Sequence, residues 1–111
     1  MSPDAFAGMV PELLLEEAAR RFALLGDPSR LRLLNVLHDR GELAVGEIAV
    51  RTDISRENAS QHLTRLAAAG LIARRRRGTS VFYRVDDATL AEICALICRG
   101  VRTRASALAG S

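Results

Sequence analysis

The apolar residues of this chain recur first at helical spacing, then at strand spacing, then at helical spacing again. From Pro11 onward, Leu14, Leu15, Ala18, Phe22 and Leu25 fall three and four apart, which predicts an amphipathic helix ending near Leu25. Pro11 suits its first turn, Glu12, Glu16 and Glu17 sit near the positive end of its dipole, and Gly26 stops it. Asp27-Pro28 starts a second helix: a capping carboxylate, then a proline at the first helical position. Leu31, Leu34, Val36 and Leu37 form its apolar side, and Arg40-Gly41-Glu42 reads as a turn. A short third helix is predicted over 45–51, with Ile48 and Ala49 inward. Thr52-Asp53-Ile54 is a tight connection. Ser55 caps a fourth helix over 56–69, which Gly70 ends.

The period then changes. Residues 71–76 and 80–85 flank Arg77-Gly78-Thr79, a hairpin turn built around a glycine. Val81, Tyr83 and Val85 alternate with Ser80, Phe82 and Arg84, the two-residue period of a strand. Asp86 or Asp87 caps a last helix with the stripe Leu90, Ile93, Cys94, Ile97, Cys98 and Val101, continued by Ala105 and Leu108. The expected fold is mainly α with a small two-stranded antiparallel hairpin, in the order α-α-α-α-β-β-α. It has one domain over 11–108, preceded by a flexible lead-in over 1–10.

Composition narrows the class. With 111 residues, 49% hydrophobic and 26% charged, the chain is a single globular domain. No apolar run reaches the ~18–20 residues of a membrane span, so no membrane partner is expected. The first residues lack a signal-peptide pattern, and two cysteines are too few for a disulfide scaffold, so a cytoplasmic location is expected. All sixteen cationic side chains are arginine, and the net charge of +3 is unevenly spread. Residues 1–50 carry −3, residues 51–84 carry +6 and residues 85–111 carry 0. A block holding all the excess positive charge is the footprint expected for contact with phosphates.

Two short helices joined by a tight turn, followed by a basic hairpin, form a winged helix-turn-helix. The second helix of such a pair presents small polar side chains to the base edges of a groove. Arg56, Glu57, Ser60, Gln61 and Thr64 occupy that side, while Ala59, Leu63 and Leu66 turn inward. Gln and Asn can bond adenine at two points, Arg guanine, and Glu can accept from a cytosine amino group. Around them, Ser55, Asn58, His62 and Arg65 complete the candidate DNA surface on the helix, and Arg75, Arg77 and Thr79 on the wing. Arg74-Arg75-Arg76-Arg77 cannot all face one way on a strand. Arg75 and Arg77 are expected to grip phosphate or enter the minor groove. For His62 two readings stay open: a contact with the DNA, or a hydrogen bond within the domain.

Leu24-Leu25-Gly26-Asp27-Pro28-Ser29-Arg30-Leu31-Arg32-Leu33-Leu34 resembles the signature helix of the ArsR/SmtB family of bacterial winged-helix repressors. Asn58-Ala59-Ser60-Gln61-His62-Leu63 resembles that family's recognition-helix core. Ala69-Gly70-Leu71-Ile72, then Arg76-Arg77-Gly78 and Val81-Phe82-Tyr83, resemble its wing. The likeness covers residues 18–98. It implies a two-fold dimer built from the first and last helices, which represses its operator and releases it when a ligand binds. The apolar stripes of those helices, which lie outside the DNA-reading unit, independently call for a partner. A homodimer would read a pseudo-palindromic duplex with half-sites about one turn apart.

The resemblance also implies metal sites that can be checked. Asp87 matches the first ligand of a last-helix site. Thr89, Gly100 and Thr103 stand in the remaining places and are poor ligands for transition metals. A third-helix Cys-x-Cys pair is replaced by Gly46-Glu47-Ile48-Ala49-Val50, so neither metal site is expected. Cys94 and Cys98 remain, four apart on one helical face. They suit soft metal or metalloid ions, or oxidation and persulfidation, and Arg99 and Arg102 are placed to lower a thiol pKa. Equally, both cysteines can serve as small hydrophobes in the stripe. A protein-interaction module of the same fold is the rival to a DNA-binding repressor, and the Arg-rich wing argues against it. An enzyme is the least expected class, since the chain shows no phosphate-cradling glycine loop, paired nucleophile and base, or carboxylate cluster.

Overall fold

A computed structural model describes residues 10–110. The expected lead-in over 1–10 lies outside the described residues, apart from Val10. A single 3-10 turn, Glu12–Leu14, leads into α1, Leu15–Leu25, so the first helix winds tightly before it becomes α-helical. Helix α2, Pro28–Arg40, opens with the predicted cap: the Asp27 carboxylate accepts from the Arg30 N–H at 3.0 Å, and Pro28 takes the first turn. It ends at Gly41, whose φ of 87° lies in the region that favours glycine. Strand β1, Leu43–Ala44, is followed by α3, Val45–Thr52, and α4, Arg56–Ala68. Strands β2, Ile72–Arg77, and β3, Ser80–Val85, form the wing, and α5, Ala88–Ala109, closes the chain.

The fold is the expected winged helix-turn-helix, with one addition. The sheet has three strands in the order β1-β3-β2, all antiparallel, where the sequence pattern predicts two. A two-residue strand carries no readable period; Leu43 enters the sheet because it pairs with Tyr83 and both are buried. The core also differs in α2. Leu33 is fully buried and Leu31 is exposed, because α2 turns its Leu33-Leu34-Leu37 face onto the domain. Those three leucines meet Ile48 and Ala49 of α3, Ala59, Leu63 and Leu66 of α4, Leu71, Ile72 and Tyr83 of the wing, and Leu90 of α5. Beyond Cys94, α5 is exposed and projects from this core, and α1 fully buries none of its residues.

Candidate nucleic-acid interface

The helix-turn-helix is fixed by local chemistry. Thr52 donates its hydroxyl to the Ile48 carbonyl at 2.7 Å, closing the end of α3. Asp53 then takes a left-handed conformation, φ 56°, and the Ile54 N–H returns to Ala49. Ser55 caps α4 by accepting from the Asn58 N–H at 3.1 Å. Ala59, Leu63 and Leu66 bury one face of α4. The opposite face exposes Arg56, Glu57, Asn58, Ser60, Gln61, Thr64 and Arg65, so the predicted reading surface is one continuous polar strip. Thr64 donates its hydroxyl back to the Ser60 carbonyl at 2.8 Å, which leaves its oxygen as an acceptor. His62 is half-buried. Its Nδ1 accepts from Arg30 Nε at 3.3 Å, a bond within the domain that ties the recognition helix to α2.

In the wing, Gly78 adopts φ 62° at the first position of the two-residue loop, where a hairpin turn of the II′ kind wants glycine. Thr79 is exposed beside it. Register divides the arginines two and two: Arg74 and Arg76 share the face of Tyr83 and Val81, and Arg75 and Arg77 share the face of Phe82 and Ser80. Arg75, one of the two arginines expected to meet phosphate, has a partner within the domain. Its Nε donates to Glu42 Oε2 at 3.2 Å, its Nη2 pairs with Glu42 Oε1, and its guanidinium lies 5.9 Å from the Phe82 ring centroid. Arg74, Arg76 and Arg77 are exposed and have no carboxylate partner among the described residues. Glu42 and Arg30 carry no local sequence signal, since their partners lie thirty-three and thirty-two residues away, respectively.

A family model described as a helix-turn-helix domain matches residues 25–75, which run from the end of α1 to the middle of the wing. An HTH-type transcriptional regulator of Methanocaldococcus jannaschii is 35% identical over 82 residues, covering 74% of this chain and 92% of that protein. A solution structure from Mycobacterium bovis, described as a homodimeric winged helix-turn-helix DNA-binding domain and a possible ArsR-family regulator, superposes with a TM-score of 0.73. It is 33% identical and covers 87% of this chain and 91% of that one. The chain belongs to the ArsR family. Within that family it is a DNA-binding transcriptional regulator and not an enzyme. A probable mercury resistance operon repressor of Streptomyces lividans is 36% identical over 101 residues, covering 86% of this chain and 80% of that protein.

For an ArsR-family chain, the other surface of interest is α5. Cys94 is half-buried against the core, and Cys98 is exposed. Both border two clefts. One, of about 330 Å³, is lined by Phe22, Leu25, Leu31, Leu34, Ile93 and Ile97. The other, of about 450 Å³, is lined by Leu34, Asn35, His38, Leu90, Arg99 and Arg102, among others. Arg99 and Arg102 do not lower the Cys94 pKa. Burial pushes that thiol up, and the neighbouring Cys98 adds to the shift. Asp87 is the helix cap, accepting from the Thr89 hydroxyl at 2.6 Å and the Thr89 N–H at 2.9 Å, with Arg21 at 3.4 Å. The bonds from Thr89, aided by Arg21, hold its carboxyl below the usual range. Among the described residues no three His, Cys, Asp or Glu side chains gather as a metal site, and no helix is long and apolar enough to cross a membrane.

Proposed function

We propose that this protein is a cytoplasmic, homodimeric repressor that reads a pseudo-palindromic operator with two copies of α4. The observation carrying this is the exposed strip Arg56-Glu57-Ser60-Gln61-Thr64 beside a wing whose Arg74, Arg76 and Arg77 have no carboxylate partner among the described residues. Gln61 has the amide needed for a bidentate contact with adenine; Arg56 and Arg65 suit guanine or phosphate. Ser55, Asn58 and Thr79 flank the strip and add backbone contacts. His62 acts indirectly, by orienting α4 through Arg30. The dimer forms through α1 and α5, whose apolar residues Phe22, Leu96, Ile97, Val101 and Leu108 are more than half exposed in one chain.

Cys94 and Cys98 are the proposed point of entry for the signal. They sit together where α5 meets α2, beside clefts open to solvent, and α2 in turn touches α4 through Arg30 and His62. Two thiols without a third ligand suit a thiol-reactive effector: an oxidant, a reactive sulfur species, or a soft metal or metalloid ion completed by the second protomer. The similarity to a probable mercury resistance operon repressor agrees with the soft-ion branch. The half-burial and raised pKa of Cys94 favour a second reading, in which that cysteine only packs. The test is a Cys94→Ser/Cys98→Ser double variant. It is expected to bind DNA as the parent does and to be insensitive to mercuric ion, arsenite, peroxide and polysulfide. A double variant that is still released by every agent that releases the parent contradicts thiol sensing.

A further inference from the structure

We propose that Glu42 is a built-in competitor for DNA: it holds Arg75 back from the phosphates and so sets the affinity of the wing. This rests on the wing contacting DNA as described above. The geometry is that of one side chain reaching across a sheet. Ala44 of β1 pairs with Phe82, and Phe82 pairs with Arg75, so these three share one face. Glu42 lies two residues before Ala44, at the β1 edge. Arg75 lies on β2, with β3 between them. To meet Glu42, Arg75 crosses over Phe82, where its guanidinium sits 5.9 Å from the ring centroid. The cation is therefore drawn inward over the sheet, away from the wing tip at Gly78-Thr79.

Charge and hydrogen bonding lead to the same conclusion. A guanidinium that gives its Nε and one Nη to a carboxylate has committed its side-on fork and has its charge offset, which weakens its grip on a phosphate. The pair is neutral as a unit, and a phosphate that displaces Glu42 leaves an anion beside the DNA. Arg77, on the same face, has no carboxylate among the described residues and remains available. Both partners are partly exposed, with relative accessibilities of 52% for Arg75 and 28% for Glu42, so the restraint is modest and reversible. Glu42 follows the turn that ends α2, the helix whose other residues border the cysteine clefts.

The test is a double-mutant cycle read by fluorescence anisotropy on a random-sequence 30-base-pair duplex, with affinity measured across a salt series. Glu42→Gln, nearly isosteric, is expected to tighten binding about three- to tenfold at low salt. It is also expected to steepen the log affinity against log salt slope by about 0.9 per bound protomer, one more phosphate contact for each wing on the duplex. Arg75→Ala in the parent is expected to leave the slope unchanged, whereas in the Glu42→Gln background it removes the added 0.9. Arg77→Ala serves as the reference and flattens the slope by about 0.9 per bound protomer in both backgrounds. The proposal is overturned if Glu42→Gln weakens binding or leaves the slope unchanged, or if the steeper slope persists in the Glu42→Gln/Arg75→Ala protein. Loss of the Arg77 effect with the Glu42 effect intact contradicts the assigned role of Arg77 alone, and no binding by the parent overturns both.

Discussion

At the scale of residues, the recognition helix divides into side chains that hold it and side chains that are free to read. Gln61 is exposed and has no side-chain partner among the described residues, so its amide can turn to a base edge. Gln61→Ala is expected to relax discrimination at one base position by about 1–3 kcal/mol, measured by competition among single-base operator variants. Equal weakening on every sequence would assign Gln61 to the backbone instead. The two thiols are expected to separate by reactivity. Cys94 is half-buried and its pKa is raised, so less of it is thiolate at pH 7, and its alkylation should keep rising past the ordinary thiol pKa of about 8.5. Cys98 is exposed and should be labelled first, as mass spectrometry at pH 7 and pH 9 can show. The same shift has a stability consequence: a raised pKa favours the folded state below the unfolded value, and that gain is lost as pH rises through the folded value. The polar strip was legible in the sequence because its residues are spaced around buried Ala59, Leu63 and Leu66. The fate of Arg75 was not, because its partner is thirty-three residues away.

At the scale of elements, the starts of α2, α4 and α5 were written in one or two residues, whereas α1 and α3 begin without a side-chain cap. Asp27-Pro28, Ser55 and Asp87 all cap as their chemistry requires, and glycine ends α2 and turns the wing. What periodicity left out is informative. Leu31, Leu33 and Leu34 all lie on α2, and only packing against α3 and α4 decides that Leu33, not Leu31, is sealed. Leu33→Ala is expected to lower stability by about 2–5 kcal/mol, read from urea unfolding. A cost below about 1 kcal/mol would place Leu33 outside the core. Strand β1 has no sequence pattern for a related reason: two residues, Leu43 and Ala44, become a strand only because β3 offers an edge.

At the scale of the whole molecule, the chain is broad and thin, 49 × 46 × 20 Å, with a radius of gyration of 16.6 Å. A compact chain of this length would be nearer 13 Å. The wing from Arg74 to Ser80 and α5 from Ala95 onward are exposed, while the roots of both elements lie in the core. Exposed apolar side chains are concentrated on α1 with its leading turn and on α5. Family membership and a homodimeric structural relative agree with a second copy covering those helices. Sedimentation is expected to give a dimer near 24 kDa, twice the chain mass of 12.0 kDa. The charge distribution then acquires a geometry, since a two-fold dimer presents both basic blocks on one side of a duplex. The measurement that tests this account most directly is binding of the protein to duplex from its own upstream region across a salt series. The expected result is two protomers on one pseudo-palindromic site, bound more tightly than random duplex, with log affinity falling steeply against log salt. Failure to bind any operator-like duplex at low salt would contradict it.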